Sequence, residues 1–124
     1  MRKSVSILVV EDSNTVLSLL REIVLLEGWN CLEATNGHDA VRISREMEPD
    51  LVILDLLLPG LDGFGICERI REFSSMPIIV VSGVLSTEAR LKCLNLGVDD
   101  YITKPFAIED IVSSVKAALE RKRR

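Results

Sequence analysis

Glu11, Asp12 and Asp55 each stand where a short run of β-branched and other apolar residues stops, and Ser82 and Lys104 end two later runs in the same way. If those runs are neighbouring parallel strands, five polar groups meet at one edge of a sheet. Carboxylates brought together repel one another and resist ionisation unless a cation sits among them, so the cluster is costly as scaffold and suited to a metal and phosphoryl site. A nucleotide-binding loop would need GxxxxGK[ST] after the first strand, where this chain has Glu11-Asp12, which repels phosphate. A flavin-binding module would need a donor-rich loop there, and the same two acids oppose it. Aspartyl-phosphate chemistry fits, because an ionised carboxylate can attack phosphorus once a divalent cation screens its charge. Asp55 is then the candidate nucleophile. The acids would hold a hard cation through oxygen ligands, Mg²⁺ above all, while Lys104 offers a point charge and Ser82 a hydroxyl to phosphoryl oxygens.

The elements that must position these groups alternate. Residues 5–10 (VSILVV) are β-branched and unalternating, as a strand covered on both faces is. A helix follows, capped by Ser13 or Asn14, with Val16, Leu20, Ile23, Val24 and Glu27 at helical spacing until Gly28 stops it. A second strand over 30–34 closes at an Asn36-Gly37 turn signal, and a second helix over 39–47 ends before Pro49. Residues 51–54 form a third strand, and a helix from about 62 to 73 carries Phe64, Cys67 and Ile70 about a turn apart. Residues 78–81 form the most uniformly apolar strand; Ser86 caps a fourth helix bearing Ala89, Cys93 and Leu96, ended by Gly97. A strand over 101–103 precedes a last helix whose stripe is Ile108, Ile111, Val112, Val115 and Leu119. Five strands alternating with five helices imply βαβ crossovers and a parallel sheet covered on both faces, which binds ligands beyond the carboxyl ends of its strands.

With 124 residues, 48% of them hydrophobic, the chain suits one domain over 1–124, the last residues from 121 being a helix end or the start of a linker. The formal charge of −4 includes the terminal run Arg121, Lys122, Arg123, Arg124, without which eleven bases face nineteen acids. So acidic a body repels a nucleic acid backbone, and direct DNA binding by this domain is not expected. Cys31, Cys67 and Cys93 are odd in number and widely spaced, which suggests neither a disulfide framework nor a zinc site, but small buried hydrophobes in a reducing cytosol. The first apolar run is too short for a signal peptide or a membrane span, so a cytoplasmic protein is expected.

Taken together, Glu11-Asp12, the run Asp55-Leu56-Leu57-Leu58-Pro59-Gly60-Leu61-Asp62-Gly63, Ser82-Gly83, and the run from Gly97 through Tyr101 and Lys104-Pro105 to Phe106 resemble the receiver domain of two-component response regulators. The match spans essentially the whole chain. It implies a doubly wound five-stranded parallel sheet of order 2-1-3-4-5, a flavodoxin-like three-layer α/β sandwich, in which the third strand lies beside the first. It implies a phosphorylation switch: Asp55 receives a phosphoryl group from a histidine kinase or histidine phosphotransfer protein, with Mg²⁺ held by Asp12, Asp55 and the backbone carbonyl of Leu57, and with Glu11 acting through water. The Ser82 hydroxyl would turn toward the phosphoryl group and Tyr101 swing inward behind it, reshaping the face of the fourth helix, fifth strand and fifth helix. The Lys104-Pro105 bond would be cis, with Pro59 and Gly63 as structural neighbours of the site.

Singly, Asp12 and Ser82 read as ordinary helix caps, Lys104 as a surface lysine and Tyr101 as a fixed aromatic; their coincidence with Asp55 is what points to a site. Asp62 resembles a site residue but is expected to start the third helix, with Gly63 packing closely there. His38 and Trp29 receive no role. Leu91 and Leu94 fall off the inward stripe of the fourth helix, so a phosphorylation-dependent homodimer through that face is expected. Leu57 and Val84 stand two positions beyond Asp55 and Ser82, and being apolar they cannot orient an attacking water, which implies a long-lived phosphoryl group. Two rivals remain: a phosphohydrolase using an aspartyl-phosphate, disfavoured because it would want an acid at position 57, and an unphosphorylated docking module, which would be expected to lack an acid or the lysine. Turnover as an enzyme is therefore not expected.

Overall fold

The computed structural model describes residues 4–58, 60–84 and 86–123. Five strands, β1 (Ser6–Val10), β2 (Asn30–Ala34), β3 (Leu51–Leu54), β4 (Ile78–Ser82) and β5 (Asp100–Thr103), alternate with five helices, α1 (Asn14–Leu26), α2 (Gly37–Met47), α3 (Gly63–Arg71), α4 (Thr87–Asn95) and α5 (Ile108–Arg123). The strands form one parallel sheet in the order β2-β1-β3-β4-β5.

Strand periodicity divides the core in two, because successive side chains point to opposite faces. Leu8, Val10, Val52, Leu54, Ile78 and Val80 pack with Ala40 and Val41 of α2, Ile66, Cys67 and Ile70 of α3, and Ala89 and Cys93 of α4. Their neighbours Ile7, Val9, Leu51, Ile53, Ile79 and Val81 pack on the other face with Leu17, Leu20, Ile23 and Val24 of α1 and Ile111, Val115 and Ala118 of α5. This is the three-layer sandwich the sequence implied, and burying each such Leu or Ile stabilises it by about 1.5–3 kcal/mol. Among the described residues, no helix is long and apolar enough to cross a membrane.

Helices α1 to α4 begin on side-chain caps. Ser13, Asn36, Asp62 and Ser86 accept hydrogen bonds from the amides of Val16, Asp39, Gly65 and Ala89. Asn36-Gly37 is thus a helix start and not the expected turn, since the Asn36 carboxamide satisfies the Asp39 amide at 2.9 Å and Gly37 is already helical. Two of the expected stripes shift. Leu17 is buried where Val16 is only half-buried, and in α5 the first residue, Ile108, is exposed while Ala118 completes the inward face. Ser82 ends β4 from within the strand, one residue later than the apolar run suggested. Cys67 and Cys93 are buried and Cys31 half-buried, all as free thiols. Arg121 and Lys122 belong to α5 and turn back to the body, Arg121 to Asp99 and Lys122 to Asp50, each at 3.6 Å.

Candidate functional site

Register fixes the site. The pairing of β1 with β3 runs to Val10 opposite Leu54, so the next residues, Glu11 and Asp55, leave the sheet at one height, Glu11 N–H bonding the Ala34 carbonyl and Asp55 N–H the Val10 carbonyl, both at 3.1 Å. On the far side, Ser82 pairs with Thr103, and Lys104 N–H bonds the Ser82 carbonyl at 3.0 Å. The Lys104-Pro105 bond is cis, as the resemblance implied.

Three carboxylates converge. One oxygen from each of Glu11, Asp12 and Asp55 lies within 4.8 Å of the others. Glu11 is 1% and Asp55 6% exposed, while Asp12 faces solvent. Lys104 Nζ reaches between the two buried acids, donating to Glu11 Oε1 at 2.7 Å and Asp55 Oδ2 at 3.0 Å. The other oxygens are taken by backbone: Ser13 N–H donates to Glu11 Oε2 at 3.1 Å and Leu57 N–H to Asp55 Oδ1 at 3.0 Å. Burial pushes the Glu11 carboxyl above its ordinary range despite the Lys104 and Ser13 hydrogen bonds. Burial alone would lower the Lys104 pKa, but the bonds to Glu11 and Asp55 outweigh it and hold the ammonium above its ordinary value.

Close packing supports the loop after β3. Asp62 caps α3 through a 2.9 Å bond from Gly65 N–H, and Gly63 N–H bonds the Leu56 carbonyl at 3.1 Å. A Cβ on Gly63 would sit 2.5 Å from Leu56 Cα, so only glycine permits this approach next to Asp55. Pro59 lies outside the described residues.

The remaining sequence-predicted residues surround this centre without all joining it. Ser82 is fully buried, but its hydroxyl accepts from Val84 N–H at 3.4 Å, and among the described residues no hydrogen bond joins it to Asp55. Tyr101 is half-buried against the core beneath α2, α3 and α4, and its hydroxyl is buried with no hydrogen-bond partner among the described residues. The Arg90 guanidinium covers its ring at 4.9 Å. Leu57 is 63% exposed and Pro105 is exposed, both at the rim. Sequence reasoning gave Lys104 to a phosphoryl oxygen and Glu11 to a metal-bound water, and missed that the two are joined directly. The charge types could have suggested it, since a lysine stands here among three acids. The cation over Tyr101 had no sequence signal, because residues 90 and 101 lie on different elements.

The chemistry of the donor set suits a hard divalent cation. Carboxylate oxygens are the ligands Mg²⁺ takes, and three acids against one ammonium leave negative charge uncompensated.

Comparison with known proteins agrees with this geometry. The family model of the response regulator receiver domain matches residues 7–116. The chain is 35% identical over 115 residues to a probable transcriptional regulator, ycf27, of Porphyridium aerugineum, an alignment covering 93% of this chain and 48% of that protein. The chain therefore spans about half the length of this curated relative. In structure it is similar to a CheY-like response regulator receiver domain protein from Methanospirillum hungatei JF-1, with a TM-score of 0.94, 26% identity and 98% of each chain covered. It is also similar to the BeF3-activated N-terminal receiver domain of RstA from Klebsiella pneumoniae, with a TM-score of 0.87 and 27% identity over 92% of this chain and 97% of that one. With the acidic edge, the strand order and the family match in agreement, the chain belongs to the response regulator receiver domains of two-component signal transduction.

Proposed function

We propose that this domain is a phosphorylation-activated switch in which Asp55 accepts a phosphoryl group from a histidine kinase or a histidine phosphotransfer protein. The observation that carries the reading is the position of Lys104 Nζ between Glu11 and Asp55, with three carboxylates gathered within 4.8 Å. Mg²⁺ would be held by Asp12, Asp55 and the Leu57 carbonyl, with Glu11 acting through water. Its chemistry there is to screen the carboxylates from an incoming phosphoryl group. An Asp55 carboxylate oxygen forms the new O–P bond as the P–N bond to the donor imidazole breaks, and the imidazole leaves with the electron pair and takes up a proton. The Leu57 amide orients the attacking carboxylate by its bond to Oδ1, and Lys104 exchanges a carboxylate oxygen for a phosphoryl oxygen. Ser82, one strand away, would release the Val84 amide to bind another.

The output follows from the same site. Tyr101, whose buried hydroxyl has no partner among the described residues, is the group free to move when Ser82 turns, and it links the site to the face of α4, β5 and α5. On that face Leu91 is 55% and Leu94 69% exposed, which supports a phosphorylation-dependent homodimer as one output. A monomer by sedimentation with and without beryllofluoride would remove that output. The reading implies a cytoplasmic protein that catalyses only its own phosphorylation and dephosphorylation. Its acidic body supports the absence of direct nucleic acid binding by this domain.

The test is incubation with acetyl phosphate, with Mg²⁺ or with EDTA, scoring the acid-stable, base-labile acyl phosphate. Labelling that requires Mg²⁺ is expected; equal labelling in EDTA would contradict the metal assignment, and none in either would contradict the switch.

A further inference from the structure

Helix α4 is held less deeply than its neighbours. It buries only Ala89 and Cys93, where α1, α2 and α3 each bury four residues. Along its length the ties are cations over rings, Arg90 on Tyr101 at 4.9 Å and Lys92 on Phe64 at 5.1 Å.

Its two ends are tethered differently. At the amino end Ser86 accepts from Ala89 N–H through its hydroxyl at 3.0 Å and from Arg90 N–H through its carbonyl at 3.2 Å, bonds that join the helix only to itself. At the carboxyl end Arg71, from the last turn of α3, spans three segments. Its Nε donates to the Leu96 carbonyl at 2.9 Å and Nη2 to the Gly97 carbonyl at 3.0 Å, while Nη1 donates to the Ser74 carbonyl at 3.2 Å and the Met76 carbonyl at 2.9 Å. The guanidinium thereby binds the end of α4 to the chain that leads from α3 into the fully buried strand β4. A planar fork with several fixed donors suits this task, and a cation suits the negative end of a helix dipole. Gly97, with φ of +70°, completes the arrangement by turning the chain where a side chain would be strained.

We propose that Arg71 is a positioning residue of the switch, the fixed pivot of α4, which confines displacement of that helix to its amino-terminal half beside Ser82 and Val84. What drives the displacement rests on the phosphoryl-acceptor reading above; the pivot itself is a property of the free protein. Without the clamp, a signal from Ser82 and Tyr101 would loosen the whole helix instead of tilting it.

Hydrogen–deuterium exchange tests both parts on the intact chain. In the free parent the amides of residues 96–98, bonded to the carbonyls of Lys92, Cys93 and Leu94, exchange at least about tenfold more slowly than those of residues 90 and 91. Arg71→Met abolishes that gradient while the amides of β1 keep their protection, and Arg71→Lys gives an intermediate gradient. With beryllofluoride and Mg²⁺ the parent changes only over residues 82–91, and Arg71→Met extends the change to 96–98. The pivot is overturned if residues 96–98 of the parent exchange as fast as 90 and 91, if Arg71→Lys leaves the gradient whole, or if the response of the parent to the mimic already covers all of α4. Should Arg71→Met fail to fold, the parent and Arg71→Lys decide. Failure of the parent to bind beryllofluoride would instead overturn the phosphoryl reading, and the exchange gradient of the free protein would still judge the clamp.

Discussion

Both edges of the sheet carry aspartates, and the two edges handle them in opposite ways. At the amino edge, Asp50 and Asp99 immediately precede β3 and β5, far enough apart to be served separately. Asp50 accepts from Ser6 N–H at 2.8 Å and faces Lys122, while Asp99 accepts from Ile78 N–H at 3.1 Å and faces Arg121. Each acid there has its own backbone donor and its own cation. At the carboxyl edge Glu11, Asp12 and Asp55 converge, and a single ammonium serves the two buried ones. Residue types alone do not separate scaffold from site; charge balance within a few ångströms does. The balanced edge holds strands together, and the unbalanced one keeps the uncompensated negative charge on which the proposed divalent cation and phosphoryl group would act.

The largest test of this contrast removes the shared cation. Lys104→Met leaves Glu11 and Asp55 buried without a cation, each keeping only its backbone donor, and it should slow phosphoryl uptake by about 100-fold or more, as loss of a preorganised electrostatic donor does. It should also cost about 2 kcal/mol of stability in urea unfolding at pH 7 without metal. The sign of the pH dependence follows from Glu11. A carboxyl raised by burial contributes stability that is full below its ordinary pKa and lost as pH rises through the raised value, so the deficit of the variant should shrink on acidification. Lys104 behaves as a raised base: its contribution is full below 10.5 and is lost only as pH rises through its higher folded value. An unchanged urea midpoint in the variant at pH 7 would mean that the acids are not balanced by this lysine.

A smaller kinetic effect is expected at the rim of the unbalanced edge. Leu57→Asn, at an exposed position beside Asp55, should shorten the lifetime of the phosphoryl group by about tenfold by orienting water, measured as decay after donor removal. Equal lifetimes would show that the apolar side chain is not what protects the phosphoryl group.

The balanced edge should respond in stability alone. Asp50→Ala leaves Ser6 N–H without its acceptor and should cost about 1–2 kcal/mol with the uptake rate unchanged, whereas Lys122→Ala, which removes an exposed ion pair and a long 3.5 Å hydrogen bond to the Asp50 carbonyl, should cost less than about 0.5 kcal/mol. A slower uptake in either would erase the distinction between the edges. Opposite in sign is Glu11→Gln, which keeps an acceptor for Lys104 and should stabilise the metal-free protein by about 1 kcal/mol at pH 7, an advantage that fades toward pH 4 and in Mg²⁺. A loss of stability at pH 7 would show that the ionised carboxylate is a net asset.

The sequence revealed the unbalanced edge because its chemistry is concentrated in short motifs at the ends of apolar runs, and unalternating strands such as Ile78–Ser82 announce a doubly covered sheet. Helix starts at Ser13 and Ser86 were legible for a similar reason, since a cap acts within three residues. Asn36-Gly37 misled because the same dipeptide serves a tight turn and a helix entry, and only the downstream Asp39 amide decides between them. The balanced edge was invisible. Asp50 works across 44 residues on the Ser6 amide, and Arg71 across 25 on the Leu96 carbonyl, and no local pattern encodes such pairings. The terminal run Arg121, Lys122, Arg123, Arg124 read as a helix end or the start of a linker, and α5 does run to Arg123, but nothing local signalled that Arg121 and Lys122 fold back to acids that precede strands.

Intact mass after incubation with a small phosphodonor and Mg²⁺ addresses the central claim most directly. The account predicts one phosphoryl added to the parent and none to Asp55→Asn, with both proteins folded; a phosphoryl gain in both, or in neither, would contradict it.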